Sequence, residues 1–342
     1  MKAMMLNRIC SLDQTGEPLL LETIDDPEPG ASELLIKVSA CGVCHTELDE
    51  IEGRTPPPRL PVVPGHQVVG TVVECGDSVR SFQKENRVGV GWIFSACGRC
   101  RYCRADRENL CDSFMATGRD ANGGYAEYMT VPASFAYAIP ELFSDEEAAP
   151  LLCAGAIGYR SLRLTGLEDG WNLGLTGFGA SGHLVLKLVQ HNYPRTKVFV
   201  FARSERERRF ALDLGATWSG DTRDRSPELL AAIIDTTPAW LPVVEAMKNL
   251  DKGGRLVINA IRKEERDKDE LLKLDYPLHL WEEKEIKSVA NVERRDVAEF
   301  LELASEIPIK PDVRTYPLED ANRALRELKE QKIRGAKVLS IG

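Results

Sequence analysis

The stretch Leu173-Gly174-Leu175-Thr176-Gly177-Phe178-Gly179-Ala180-Ser181-Gly182 runs from an apolar strand into three glycines spaced G-x-G-x-x-G, and then into the helical pattern of Ala180 to Gln190. In such a stretch the first glycine makes a tight turn, the second lets backbone approach a pyrophosphate, and the third lets helix and strand pack closely. The helix N-terminus that opens there offers unpaired N–H groups and the positive end of a dipole to phosphate oxygens. Gly177, Phe178, Gly179, Ala180, Ser181 and Gly182 are therefore the expected dinucleotide-binding turn.

Working outward, Lys197 to Ala202 reads as a strand and Glu205 to Leu214 as a helix, and Ala231 to Asp235, Gly254 to Asn259 and Glu285 to Ala290 read as further strands. This alternation predicts an α/β unit: a doubly wound parallel sheet of about six strands with helices on both faces, beginning near residue 153. At the tip of the second strand, Phe201-Ala202-Arg203-Ser204, the position where an acid would hold both ribose hydroxyls is Ala202. Arg203 and Ser204 suit a 2′-phosphate instead, so NADP(H) is expected over NAD(H). The plainer reading makes Arg203 one of several solvated basic residues with Arg206, Arg208 and Arg209. The mixed-charge run Arg262 to Glu270 reads as a solvated loop or helix face and is given no role.

The first half is different. Short β-rich runs, Glu33 to Val38 and Val68 to Val73, are punctuated by Gly and by Pro56, Pro57, Pro58, Pro61 and Pro64. That pattern fits a small irregular β domain.

Composition narrows the function classes. The 342 residues are 43% hydrophobic and 28% charged, with a formal charge of −9 and a pI near 5.3. Two domains, a soluble globular class and no affinity for nucleic acid or anionic membrane follow. The start MKAMMLNRIC shows no secretory pattern and no run is long and apolar enough to span a bilayer, so the cytoplasm is the expected compartment. Nine cysteines in such a chain argue for metal or catalytic use over disulfides.

Cys97, Cys100, Cys103 and Cys111 follow C-x2-C-x2-C-x7-C. Four thiolates so spaced can enclose one tetrahedral ion, a structural zinc site with no open position. An iron–sulfur cluster is the competing occupant of four thiolates, and four unrelated thiols the plain alternative. Cys44, His66 and Cys153 are the other candidates. Two thiolates and one imidazole would leave zinc a fourth position open, although a His in a Gly/Pro turn and a Cys in an apolar run also read as turn and core residues.

Several of these motifs occur together, in order. Cys44-His45-Thr46, Gly65-His66-Gln67-x2-Gly70-x5-Gly76-x2-Val79, the four-cysteine lobe, Gly177-x-Gly179-x2-Gly182 and the ending Tyr316-Pro-Leu-Glu-Asp-Ala-Asn through Arg334-Gly335 resemble the zinc-containing alcohol dehydrogenases of the medium-chain dehydrogenase/reductase superfamily. The resemblance covers nearly the whole chain. It implies a GroES-like β-rich catalytic domain over 1–152, completed by 296–342, and a Rossmann domain over 153–295. It also implies two zinc ions, catalytic at Cys44, His66 and Cys153 and structural at the four cysteines, and reversible hydride transfer between NAD(P) and an alcohol or its carbonyl counterpart; the alternatives are a zinc-independent reductase of the same superfamily and a non-enzymatic nucleotide-binding protein. By the same resemblance Thr46 begins the proton relay, His45 and Arg334 contact the pyrophosphate, Trp92, Ile93 and Phe94 wall an apolar substrate pocket, and the assembly is a homodimer or homotetramer.

Three positions depart from the family pattern. Gln67 stands where Glu is common, Glu47 where Asp commonly supports the zinc-ligating histidine, and Asp49 where many relatives finish the relay with His. Cys10, Cys41 and Cys75 are expected to pack as small hydrophobes, and no motif surrounds His183, His191 or His279.

Overall fold

The computed structural model describes residues 1–307, 309–330 and 335–342, and the chain divides into two units, Met1–Cys153 with Val292–Gly342, and Ala154–Asn291. Residues 292–295 thus lie with the first unit. The first unit opens with β1 (Lys2–Leu6), β2 (Leu19–Thr23), β3 (Glu33–Val43), α1 (His45–Ile51), β4 (Val68–Cys75), β5 (Arg87–Val90), β6 (Ile93–Ser95), β7 (Met115–Ala116), β8 (Tyr128–Pro132), β9 (Ala136–Ala138) and α2 (Asp145–Ala148). The second holds α3 (Ala154–Thr165), β10 (Leu173–Thr176), α4 (Ala180–Asn192), β11 (Val198–Phe201), α5 (Glu205–Asp213), β12 (Trp218–Gly220), β13 (Leu230–Asp235), α6 (Leu241–Met247), β14 (Leu250–Ile258) and β15 (Glu285–Ser288). The chain then re-enters the first unit with α7 (Arg294–Glu306), β16 (Val313–Pro317), α8 (Ala321–Lys329) and β17 (Ala336–Ser340).

In the first unit a seven-stranded sheet runs β16-β17-β3-β4-β5-β9, with β8 also paired to β3. The strand expected over Glu33 to Val38 continues to Val43 because its second half finds a partner in the C-terminal strand, Leu339 opposite Cys41 and Lys337 opposite Val43. Alternate residues of β3, among them Leu34, Ile36 and Val38, bury into one core with Val68, Val72, Val88, Tyr125 and Leu339. Residue 44 therefore leaves a strand held on both sides.

The helix that follows is short, and its caps are made by site residues. Cys44 is the N-cap of α1, with its Sγ accepting from Thr46 N–H and the Glu47 carboxylate returning to the Cys44 N–H at 2.9 Å. This is a capping box with sulfur in the usual hydroxyl role. At the other end Glu52 accepts from Lys329 Nζ at 2.8 Å, Arg54 Nη1 at 2.5 Å and Leu12 N–H at 3.0 Å, which ties α1 to α8.

The second unit's sheet is parallel throughout in the order β12-β11-β10-β13-β14-β15. This is the doubly wound order, in which the direction of winding reverses between β10 and β13, and ligands bind at the carboxyl ends of strands at that reversal. Its apolar core includes Phe199, Phe201, Ile233 and Leu256. Strand β12 gave too short an apolar signal to be singled out from sequence. The run Arg262 to Glu270 corrects the solvated reading: Arg266, Glu265 and Lys268 are exposed, but the Lys263 side chain is only 8% exposed and pairs with the fully buried Asp235. Among the described residues, no helix is long and apolar enough to cross a membrane.

The Glu52 contacts carry a pH dependence. Burial opposes ionisation of Glu52, but hydrogen bonds from Lys329, Arg54 and Leu12 outweigh it and hold the carboxyl down at about 2. Because the folded pKa lies below that of the unfolded chain, this contribution is complete above the usual carboxylate range and is lost as pH falls toward about 2. Relative to wild type, Glu52→Gln is expected to lower the urea midpoint at neutral pH, with the difference vanishing as both proteins are titrated to the acid limit. A difference that stays constant across that titration would contradict the assignment.

Candidate active site

Four sulfurs converge in the loop between β6 and β7. Cys97 Sγ lies 3.9 Å from Cys103 Sγ, and Cys100 Sγ 3.5 Å from Cys103 Sγ, and the four ligand atoms including Cys111 all lie within 4.8 Å of one another. A zinc tetrahedron with Zn–S bonds of ~2.3 Å has S···S edges of about 3.8 Å, so the set fits that ion; a disulfide, with sulfurs about 2 Å apart, is excluded. Backbone donors aim at the sulfurs: Cys100 N–H to Cys97 Sγ, Cys103 N–H to Cys100 Sγ and Ser113 N–H to Cys111 Sγ, each at 3.4 Å. N–H donors from Arg99 and Cys100 bring the Cys97 thiol down to about 6, whereas burial and neighbouring thiols push Cys103 up to about 12. A metal ion that takes all four as thiolates removes this mismatch.

The second cluster joins three segments of the same unit. Cys44 leaves β3, His66 follows the turn at Pro64-Gly65, and Cys153 ends the helical turn after α2. Gly65 adopts φ +101°, and a Cβ there would fall 2.4 Å from the Tyr125 ring and 2.9 Å from Cys41 Sγ. Only glycine lets the chain pass this close and deliver His66. His66 Nε2 lies 3.7 Å from Cys44 Sγ and 3.4 Å from Cys153 Sγ, against about 3.6 Å for the S···N edge of a zinc tetrahedron. His66 Nδ1 lies 2.5 Å from Glu47 Oε1, with both side chains out of solvent.

Glu47 therefore serves two donors, the Cys44 N–H and the His66 ring, and turns Nε2 toward the sulfurs. Burial disfavours its charge, but the His66 imidazole and its N–H donors bring the carboxyl below its ordinary value. Against burial, the Glu47 and Cys44 charges raise His66, while the Cys153 hydrogen bond, burial and Glu47 raise Cys44. Metal binding to these ligands must release protons. The donor set, two thiols and one imidazole, is that of a zinc site with one position open.

The other expected residues of this site fall as follows. Thr46 is half-buried in the first turn of α1, and His45 beside it is exposed. Asp49 is buried, and its Oδ1 receives Arg54 Nε at 2.5 Å. Gln67 is buried with its backbone oxygen bound to Gly42 N–H at 2.9 Å, and its Nε2 is enclosed without a hydrogen-bond partner among the described residues. Trp92 is half-buried, its ring 5.2 Å from that of Phe114, and Ile93 is buried. Phe94, on the opposite face of β6, lines a cavity of about 270 Å³ with Met1, Arg59, Met115 and Tyr128. Cys41 is buried, and Cys10 and Cys75 are half-buried.

In the second unit the glycine turn takes the form its spacing implies. Gly177 has φ +78°, the φ > 0 conformation glycine supplies in a tight turn. Gly179 is the N-cap of α4, whose first intrahelical bond is His183 N–H to Gly179 O, so the N–H groups of Ala180, Ser181 and Gly182 have no partner within the helix. Phe178 is buried, with its ring 5.7 Å from Phe210; its side chain anchors the turn, and what it offers a ligand is backbone. Arg203 is exposed and Ser204 is the N-cap of α5. Arg208 is not one of a solvated row: its Nη1 donates to Ala202 O at 2.7 Å, Arg203 O at 3.0 Å and Asp221 Oδ2 at 3.3 Å. Arg334 lies outside the described residues. Asp235 and Lys263, at the carboxyl end of β13, were not singled out from sequence; the signal was an acid closing the wholly apolar run Leu230 to Ile234.

The chain as a whole has relatives among known proteins. Residues 30–141 match the alcohol dehydrogenase GroES-like domain. The chain is 44% identical over 329 residues, 95% of its length and 93% of the relative's, to the probable alcohol dehydrogenase AdhA of Mycobacterium tuberculosis. It is 31% identical over 345 residues to an alcohol dehydrogenase of Geobacillus stearothermophilus, covering 96% of this chain and 98% of the other. Among solved structures, a cinnamyl alcohol dehydrogenase of Sorghum bicolor superposes with a TM-score of 0.84 at 26% identity, covering 99% of this chain and 97% of that one.

Removing the carboxylate that orients His66 should loosen one metal site and spare the other. Glu47→Ala is expected to weaken zinc binding at Cys44, His66 and Cys153 by about 10- to 100-fold. Zinc per chain, measured through a chelator titration, should then fall in two well-separated steps, with the four-cysteine step unmoved. Release curves identical to wild type would show that Glu47 does not support the metal.

Proposed function

The chain belongs to the alcohol dehydrogenases of the medium-chain dehydrogenase/reductase superfamily, and from that premise we propose that it moves hydride reversibly between an alcohol, or its aldehyde or ketone, and a nicotinamide dinucleotide. The observation that carries this is the pair of unequal clusters: four sulfurs that close a tetrahedron, and two sulfurs with one imidazole that do not. One zinc ion on Cys97, Cys100, Cys103 and Cys111 clamps the loop. Cys44, His66 and Cys153 would hold a second, which when bound would supply Lewis-acid character toward the alcohol or carbonyl oxygen, and a nicotinamide bound in the second unit would supply the hydride acceptor or donor.

The chain's own residues do the rest. Glu47 fixes the imidazole, and the Thr46 N–H donates to Cys44 Sγ at 3.3 Å, favouring the thiolate. The Thr46 hydroxyl takes and returns the substrate proton. Asp49 is its proposed carboxylate acceptor, three residues on along α1 and so on the same helix face, held in place by Arg54. Trp92 and Ile93 offer an apolar wall, which favours an apolar alcohol or aldehyde.

For the dinucleotide, the turn Gly177 to Gly182 receives the pyrophosphate, with His45 and Arg334 as further contacts. NADP(H) is favoured over NAD(H) because the tip of β11 presents Ala202 and not an acid, and Arg203 there makes no ion pair among the described residues. Arg208, which donates to the Ala202 and Arg203 carbonyls at that tip, also pairs with Asp221. The assembly is a homodimer or homotetramer: β15 is an edge strand with all four residues exposed, and Leu272, Tyr276 and Trp281 are exposed in the segment before it. Unpaired edges with apolar surroundings are pairing surfaces. The net charge of −9 argues against nucleic acid or membrane as partner, and nine cysteines without a disulfide suit the cytoplasm.

Two experiments test this reading. Cys44→Ser is expected to take zinc from two ions per chain to one, by elemental analysis, and to abolish alcohol-dependent reduction of the dinucleotide without unfolding the protein; undiminished turnover would end the metal mechanism. Arg203→Ala is expected to weaken NADPH binding by about tenfold or more, the worth of a charge-assisted contact, and to leave NADH binding unchanged. Equal effects on both would remove Arg203 from the 2′-phosphate site.

A further inference from the structure

The carboxyl ends of β10 and β13 meet in a buried polar knot. Asp235, the last residue of β13, is fully buried and stands opposite Thr176, the last residue of β10. Its carboxylate accepts from Thr176 Oγ1 at 2.5 Å, from Thr237 Oγ1 at 2.8 Å and from Thr237 N–H at 3.3 Å, and it forms an ion pair with Lys263. The Lys263 ammonium spends its remaining protons on Thr237 O at 2.8 Å and Ala239 O at 2.9 Å.

The loop that carries Lys263 is fastened at further points. Glu264 N–H donates to Pro238 O at 2.8 Å, and Asp267 Oδ2 accepts from the N–H groups of Trp240 and Leu241, both at 2.9 Å, at the start of α6.

This knot backs the glycine turn. Thr236 donates to Thr176 O through both its N–H and its hydroxyl, each at 3.0 Å. A Cβ on Gly177 would fall 2.8 Å from Thr236 Oγ1 and 3.0 Å from Thr237 Cγ2. Residues 235–237 are therefore the wall against which the first glycine turns. A carboxylate buried among two hydroxyls and an amide N–H stays in place only while a cation balances it. Without Lys263, the segment that shapes the wall loses its balancing cation and the bond to Thr237 O, and keeps its ties to Thr176.

We propose that Lys263 and Asp235 are positioning residues for dinucleotide binding, which set the phosphate-binding turn at Gly177 by pinning residues 235–237 behind it. The inference rests on the reading that this turn takes a nicotinamide dinucleotide. Because the pyrophosphate is common to both dinucleotides, the effect falls on NADPH and NADH alike, unlike that of Arg203.

The test is a fluorescence titration of the full-length, zinc-loaded protein with NADPH and separately with NADH, on wild type, Lys263→Met, Lys263→Arg and Thr237→Val. Lys263→Met is expected to raise both dissociation constants by the same factor, about tenfold, with zinc content unchanged. Lys263→Arg should recover part of the loss, and Thr237→Val, which deletes one donor to Asp235, should show a smaller shift in the same direction. Should Lys263→Met fail to fold, Thr237→Val carries the test alone. Wild-type dissociation constants in the variants, with only the melting temperature lowered, would overturn the proposal and leave the pair a structural tie. Wild-type protein that binds neither dinucleotide would overturn the reading beneath it as well.

Discussion

The Glu47 carboxylate is the constraint on which the first unit's chemistry depends. One oxygen takes the Cys44 N–H and so starts α1; the other takes His66 Nδ1 and so chooses which ring nitrogen faces the sulfurs. The same side chain is thus a helix cap and a ligand support, which couples backbone geometry at Cys44 to ring orientation at His66. The coupling tolerates little movement, because β3 is paired on both sides and Gly65 lies against Tyr125 and Cys41. Three ligands brought from a strand end, a turn and a short helix could drift independently; a shared carboxylate makes two of them move as one.

Charge explains the company this carboxylate keeps. With zinc bound as proposed, two thiolates and Glu47 would set three negative charges against the two positive charges of the ion, so the loaded cluster would carry one net negative charge in a buried place. A second ionised carboxylate at position 67 would double that. Gln67 avoids it, at the cost of an enclosed Nε2 with no partner among the described residues. Glu50, buried one turn along α1 from Glu47, has its carboxyl pushed well above the ordinary range by burial and by the Glu47 charge. It too is kept from adding a charge. The four-cysteine lobe, nearer to solvent, has no comparable restriction and has the four sulfurs to hold one ion.

Much of this was legible in the chain because it is written in local spacing. The G-x-G-x-x-G turn, the C-x2-C-x2-C-x7-C lobe and the order of strands and helices after residue 173 each depend on residues close in sequence, and each formed where its spacing placed it. What escaped depends on distance. The extension of β3 to Val43 needs β17, nearly three hundred residues on, and the true setting of Lys263 needs the end of β13. A run of mixed charges looks solvated when read alone, since nothing in Arg262 to Glu270 shows that one lysine turns inward to a buried acid while its neighbours stay in water. Arg208 was misread for the same reason: two of its partners are backbone carbonyls, which leave no mark in a sequence, and the third, Asp221, lies beyond the end of its helix.

Buried ion pairs are poor sources of stability, since apolar residues of the same volume often serve better. A buried carboxylate set against a basic side chain recurs at both candidate sites of this chain, Glu47 with the His66 imidazole and Asp235 with the Lys263 ammonium, and calls for another reason. Apolar packing resists compression but is indifferent to small rotations, whereas a carboxylate that accepts two or more donors fixes direction as well as distance. A metal ligand needs its lone pair aimed, and a phosphate-binding turn needs its N–H groups aimed. In each unit the acid is buried where such aim is required, and the electrostatic cost of burying it is what makes a displaced partner unfavourable.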